Sequence, residues 1–190
     1  MSTAEPLALV LEVLEKERAG LLISIGQVPE GKRQLRPTAQ HWSVSEILEH
    51  LAHVERGITT MLVTRGREPP AEPVSPAILD EARLTPERAA RIRDRSVRIE
   101  APARIRPAGR IGSAEALEAL TAARAALVAA YLAADPAALD GLTQRHPVVG
   151  LLTLRGWVMF VGHHEARHAA QVAELADTIR SIDIPPGNLP

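Results

Sequence analysis

Histidine is the residue type in this chain whose spacing suggests chemistry. Seven histidines and no cysteine occur among 190 residues. Disulfides, thiolate zinc sites and a cysteine nucleophile are therefore excluded, and any metal must be held by nitrogen and oxygen. The densest stretch is Gly162-His163-His164-Glu165-Ala166-Arg167-His168-Ala169-Ala170-Gln171, inside a helical pattern running from about Leu151 to Arg180. At roughly 100° per residue, His164 and His168 fall within about 40° of each other, on one stripe with Trp157, Val161, Val172, Leu175 and Ile179. Two imidazoles one turn apart on an apolar face read either as hydrogen-bonded core histidines or as two ligands of a metal ion.

A metal held by such a pair needs at least a third protein ligand. An earlier helix offers His50 and His53. With its apolar stripe centred near Ile58, His50 lies about 80° away, at the edge of the buried face, and His53 about 140° away, toward solvent. His163 lies roughly 100° from His164, on the outer side. The angles select His50, His164 and His168 as three neutral imidazoles projecting between two helices. They leave His41, His53, His146 and His163 as surface or loop residues. Glu46, one turn before His50, is a candidate to take that histidine's free N–H, in competition with a capping role. Gln171, about 20° from His164, is a candidate to hydrogen-bond a ligand or substrate. The run His164–His168 also matches His-Glu-x-x-His literally, which keeps Glu165 as an alternative general base, although it lies about 100° round the helix from His164. On three neutral histidines a divalent ion keeps its full charge and open positions, and lowers the pKa of a water or an incoming thiol. Imidazole suits zinc, nickel and iron(II) alike.

Four long amphipathic helices must position these residues. The first runs from Pro6 to about Gln27 and ends at Val28-Pro29-Glu30-Gly31. A polar loop containing Pro37 leads to Trp42, and Ser43-Val44-Ser45-Glu46 then forms a capping box. The second helix carries Val44, Ile47, Leu48, Leu51, Val54, Ile58 and Leu62 on one stripe to about Arg65, where Gly66 and Pro69-Pro70 stop it. Residues 67–112 are broken by repeated prolines, with short helices expected near Pro76–Arg83 and Pro86–Arg98. Nine arginines lie between Arg83 and Arg110 against three acids, which reads as a solvated connector, with an anion-binding lid as the alternative. Ser113 starts a third helix that ends by Asp135-Pro136, and a linker over Leu139–Val149 leads into the fourth. A single long crossover between the second and third helices makes them parallel neighbours. Trp42 and Trp157 read as packing anchors for the helices they precede or join.

Aromatics are only 2% of the chain, so the core must be aliphatic, which favours helices. A net charge of −1 removes any bulk argument for a nucleic-acid partner or an anionic membrane. The N-terminus lacks the basic-then-apolar order of a signal peptide, and no apolar run approaches the roughly 20 residues that span a bilayer. The expectation is one all-α, cytoplasmic domain over residues 1–190.

Three stretches resemble the DinB/YfiT-like superfamily of bacterial metal-dependent proteins: His41-Trp42-Ser43-Val44-Ser45-Glu46-Ile47-Leu48-Glu49-His50-Leu51, then His146-Pro147-Val148-Val149-Gly150-Leu151-Leu152-Thr153-Leu154-Arg155-Gly156-Trp157, and His164-Glu165-Ala166-Arg167-His168-Ala169-Ala170-Gln171-Val172. The resemblance covers nearly the whole length. It implies a four-helix bundle in up-down-down-up order with a metal on one histidine of the second helix and an H-x3-H pair of the fourth. Carried over, these are His50, His164 and His168. It also implies a metal-dependent hydrolase or an S-transferase using a low-molecular-weight thiol such as bacillithiol or mycothiol, acting on a small-molecule substrate. A non-catalytic metal-binding or interaction bundle is the alternative, and a homodimer is compatible with a bundle of this size.

Overall fold

The start and stop signals of the sequence set the long helices of the computed structural model, which describes residues 4–182. Helix α1 (Ala4–Gly26) buries Val10, Leu14, Leu21 and Ile25. Helix α2 (Val44–Arg65) opens on the expected capping box: the Glu46 N–H donates to Ser43 Oγ at 3.3 Å, and the Ser43 N–H donates to Glu46 Oε2 at 2.9 Å. It closes where the Gly66 N–H reaches the Leu62 carbonyl at 2.7 Å. The connector carries α3 (Pro76–Glu81), α4 (Pro86–Arg93) and a 3-10 turn over Ala103–Ile105. Both short helices start with proline after a Ser or Thr cap and end earlier than the proline spacing suggests. Helix α5 (Ser113–Leu132) is capped by Gly112 without a side-chain bond, so Ser113 is its first turn and not its cap.

The linker before the last helix departs from the all-α expectation. After α6 (Pro136–Gly141), β1 (Thr143–His146) and β2 (Gly150–Thr153) form an antiparallel hairpin in the register Thr143↔Thr153 and His146↔Gly150. Gly150 turns the chain at φ +80°, a left-handed conformation that a side chain would strain. Helix α7 therefore runs Leu154–Ile182, three residues shorter at its start than the pattern from Leu151 implies. Leu151, Leu152 and Leu154 fit either period over so short an apolar run, and the hairpin wins because its strands pair.

Two apolar clusters give the direction of each long helix. One gathers the start of α1, the ends of α2 and α5 and the start of α7: Val10, Leu14, Ile58, Leu62, Leu127, Tyr131, Leu154 and Val158. The other gathers the end of α1, the starts of α2 and α5 and the end of α7: Leu21, Ile25, Val44, Ile47, Ala116, Leu120, Val172 and Ile179. The order is thus up-down-down-up. Where α1 and α7 cross, Gly162 lets the helices close: a Cβ there would sit 2.8 Å from Val13 Cγ1. Between the clusters, each helix contributes one charge to a buried layer. Arg18 and Arg124 face Glu55 and Glu165, at 3.0 Å (Arg18–Glu55), 2.5 Å (Arg18–Glu165), 2.8 Å (Arg124–Glu55) and 2.8 Å (Arg124–Glu165).

The connector crosses the bundle from α7 to α2. Helix α4 packs on α7, with Ile92 buried, while the 3-10 turn packs on α2. Several of its arginines are ties, while Arg91, Arg98, Arg104, Arg106 and Arg110 stay exposed. Arg88 donates to the carbonyls of Glu81 (2.8 Å) and Val149 (3.1 Å) and also to those of Arg83 and Leu151. Arg95 pairs bidentately with Glu174 at 2.6 and 2.8 Å. An irregular segment leaves backbone carbonyls without ladder partners, and the guanidinium forks satisfy them.

Candidate metal centre

The middle of α2 and the middle of α7 face each other beneath the connector, and there the three histidines meet. His50 is 3% exposed and His168 6%, with His164 half-buried beside them. Their ring nitrogens lie within 4.8 Å of one another. His50 Nε2 is 3.4 Å from His164 Nε2, which is 3.2 Å from His168 Nε2. The angular reading of the two helices brought together the same three residues that the structure does.

The proton positions follow from the partners. His50 Nδ1 is 2.8 Å from the Ile105 carbonyl, which can only accept, so Nδ1 carries the hydrogen and Nε2 a lone pair. His168 Nδ1 is 2.8 Å from Gln171 Oε1, so its Nε2 is likewise bare. Burial holds all three imidazoles below the usual histidine pKa. For His164 and His168, well below it, the neighbouring ring adds to that effect. One proton on His164 Nε2 could serve only one of the two facing lone pairs; a cation serves all three. Adjacent ligands on a tetrahedral ion with bonds of about 2.0–2.1 Å stand about 3.3 Å apart, close to the separations here, so the residues fit a metal.

Aromatic rings frame the cluster. Trp42 lies 4.9 Å from the His50 ring and stacks on His168 at 6.5 Å, so it flanks the histidines as well as leading into α2. Phe160 stacks on His164 at 5.1 Å. Trp157 ties α7 to the hairpin, its Nε1 donating to the Gln144 carbonyl at 3.0 Å. Above the cluster opens a cavity of about 600 Å³, walled by Val54, Ile58, Met61, Ile105, Trp157 and Phe160.

Several expectations need correction. Glu46 does not take the His50 N–H; its carboxylate is engaged by the Ser43 N–H and by the Arg36 guanidinium, and Ile105 supplies the acceptor instead. Against the cost of burial, those two partners hold Glu46 below the usual carboxylate pKa. Glu165 is fully buried in the charged layer between Arg18 and Arg124 and does not line the cavity, so the literal His-Glu-x-x-His match carries no general base. His53 lines the cavity instead of facing solvent, with a buried Nδ1 that has no hydrogen-bond partner among the described residues. His163 is buried and accepts from Arg93 at 3.1 Å. His146, expected in a loop, ends β1 and lines the cavity. Its Nδ1 accepts the N–H groups of Val148 (3.1 Å) and Val149 (3.2 Å). Pro147 and Gly150, bracketing two β-branched residues, were the hairpin signal that could have placed it.

Known proteins are similar to this chain over most of its length. The uncharacterized protein YuaE of Bacillus subtilis (strain 168) is 30% identical over 149 residues, which is 78% of this chain and 85% of YuaE. The crystal structure of TT2238, a four-helix bundle protein, aligns at a TM-score of 0.54 with 22% identity, covering 88% of this chain and 98% of that one, and so shares the fold. The family model of the DinB superfamily matches residues 14–172, from the first buried turns of α1 past all three convergent histidines; the chain belongs to that superfamily.

Proposed function

We propose that the chain is a metal-dependent enzyme acting on a small molecule, with His50, His164 and His168 holding a divalent ion at the floor of the cavity. The observation that carries this reading is the meeting of three imidazole nitrogens, two of them left bare by acceptors at Nδ1. When bound there, zinc, nickel or iron(II) supplies the charge that makes a water or a low-molecular-weight thiol nucleophilic near neutral pH, for hydrolysis or S-transfer. The protein's own part is orientation and exclusion. Ile105 and Gln171 fix the His50 and His168 rings, Trp42 stacks on His168 and Phe160 on His164, and the apolar walls keep bulk water from the reacting groups.

Metal analysis of the purified chain tests the first half of this reading. The expected result is one divalent ion per chain, lost in His164→Ala; a wild-type chain without stoichiometric metal would refute it. A panel of low-molecular-weight thiols with an electrophilic acceptor, run beside ester and amide substrates without thiol, separates transfer from hydrolysis.

A further inference from the structure

The polar groups around the cavity are mostly donors. Four arginines line it, Arg65, Arg104, Arg145 and Arg167, against one acid, Glu100, whose side chain is 85% exposed. Arg65 is committed to Gln144 and Thr143, Arg145 lies 3.6 Å from Glu81, and Arg167, buried, donates through Nη2 to the Val97 carbonyl while its Nη1 has no partner among the described residues. Arg104, exposed on the 3-10 turn, has no hydrogen bond or ion pair among the described residues. His146 is a second free donor. Because its Nδ1 accepts two backbone N–H groups, its proton sits on Nε2, which has no partner among the described residues. The Arg104 charge is close enough to act on that ring and disfavour a second proton. A free guanidinium and a neutral N–H donor, presented by two different elements, thus flank one cavity with aliphatic and aromatic walls. Its volume is within the usual range for small-molecule sites, roughly 300–1,000 Å³.

We infer that the cavity takes a small acid with an apolar body, its carboxylate held by Arg104 and the Nε2–H of His146 and its hydrocarbon part lying along Ile58, Met61, Trp157 and Phe160. The inference rests on the cavity being the substrate site of the proposed enzyme, and it names the class of that substrate. Arg104 acts as a charged hydrogen-bond donor, the stronger kind, while His146 adds direction without adding charge. Neither residue belongs to the metal set, so recognition of the acid does not require the ion.

Octanoate and octanamide test this directly, since they share a hydrocarbon chain and differ in charge. Both tryptophans of the protein line the cavity, so their fluorescence reports binding. The full chain is titrated after chelator treatment and, in parallel, loaded with zinc. In the chelator-treated chain octanoate should bind at least about tenfold more tightly than octanamide. Arg104→Gln should abolish that preference while leaving octanamide affinity unchanged, and Arg104→Lys should retain most of it. Arg104 is exposed, so these variants fold as the parent does; His146→Phe, which also deletes the turn's acceptor, is the second probe and should weaken octanoate selectively. Equal binding of the two probes overturns the inference, as does the absence of saturable octanoate binding. So does a preference seen only with zinc and indifferent to Arg104→Gln, since the metal would then be taking the acid. A chain in which metal analysis finds no divalent ion sinks the enzyme reading alone, because the metal-free titration is read separately.

Discussion

His164 Nε2 faces two lone pairs at 3.4 and 3.2 Å, and that crowding sets the predictions at the residue scale. Gln171→Leu removes the acceptor that orients His168 and should weaken metal affinity by roughly 10–100-fold, measured by competition with a chelating dye. Glu46→Gln should leave that affinity nearly unchanged while lowering stability by about 1 kcal/mol, because Glu46 serves the helix cap and Arg36 and not the site. His146 supplies a pH effect. Burial, with help from the Arg104 charge, pushes it down to about 4. The unfolded histidine, near pH 6.5, therefore takes its proton first as pH falls, so the stability it contributes is complete above about pH 6.5 and is lost progressively down to about pH 4. Across that window, unfolding free energy in urea should fall less steeply for His146→Phe than for the parent, by up to about one proton in slope. The three clustered histidines were legible in the sequence because a long helix keeps its angular arithmetic for many turns. His146 was not, since its place depends on a hairpin announced only by Pro147 and Gly150 at its turn and not by any periodic pattern.

At the scale of elements, the capping box, the Gly66 stop and the proline-started short helices were all readable, because each is a bond or a clash within a few residues. The tied arginines of the connector were not readable, for the converse reason. They act over long sequence distances, as when Arg88 reaches the Val149 carbonyl and Arg95 reaches Glu174, and a charge run alone does not reveal such partners. Arg88→Gln should release the connector from β2 and the turn before it. Trypsin, for which seven arginines remain between Arg83 and Arg110 once Arg88 is replaced and the uncleavable Arg106-Pro107 bond is left out, should then cut this segment several-fold faster than in the parent, with the helical bundle still protected. Cutting at equal rates would show that the Arg88 ties do not hold the segment.

At the scale of the molecule, the aliphatic composition and four apolar stripes were enough to give a four-helix bundle, and the length of the second connection gave its order. The charged layer across its middle was not visible, because Arg18, Glu55, Arg124 and Glu165 are unremarkable residues until four helices bring them together. Burial raises the Glu55 pKa in spite of the two arginines, a sign that desolvation is a large opposing cost. Glu165→Ala should therefore cost about 3–5 kcal/mol in urea unfolding by leaving buried guanidinium groups short of a partner. Replacing all four with apolar residues of similar size should cost much less than that, or stabilise the chain. The layer also makes register costly to change, since sliding any one helix by a turn would strand a charge in an aliphatic core.

The parallel pair α2 and α5 forces the chain to travel the full length of the bundle before it can re-enter, and its route passes from α7 across to α2, over the histidines. The roof of the cavity is thus a by-product of topology. This divides the labour: the helices hold the three histidines, while the strap contributes Arg104 and the Ile105 carbonyl. Transplanting residues 66–112 between such bundles should exchange the roof of the cavity while leaving the histidine cluster in place.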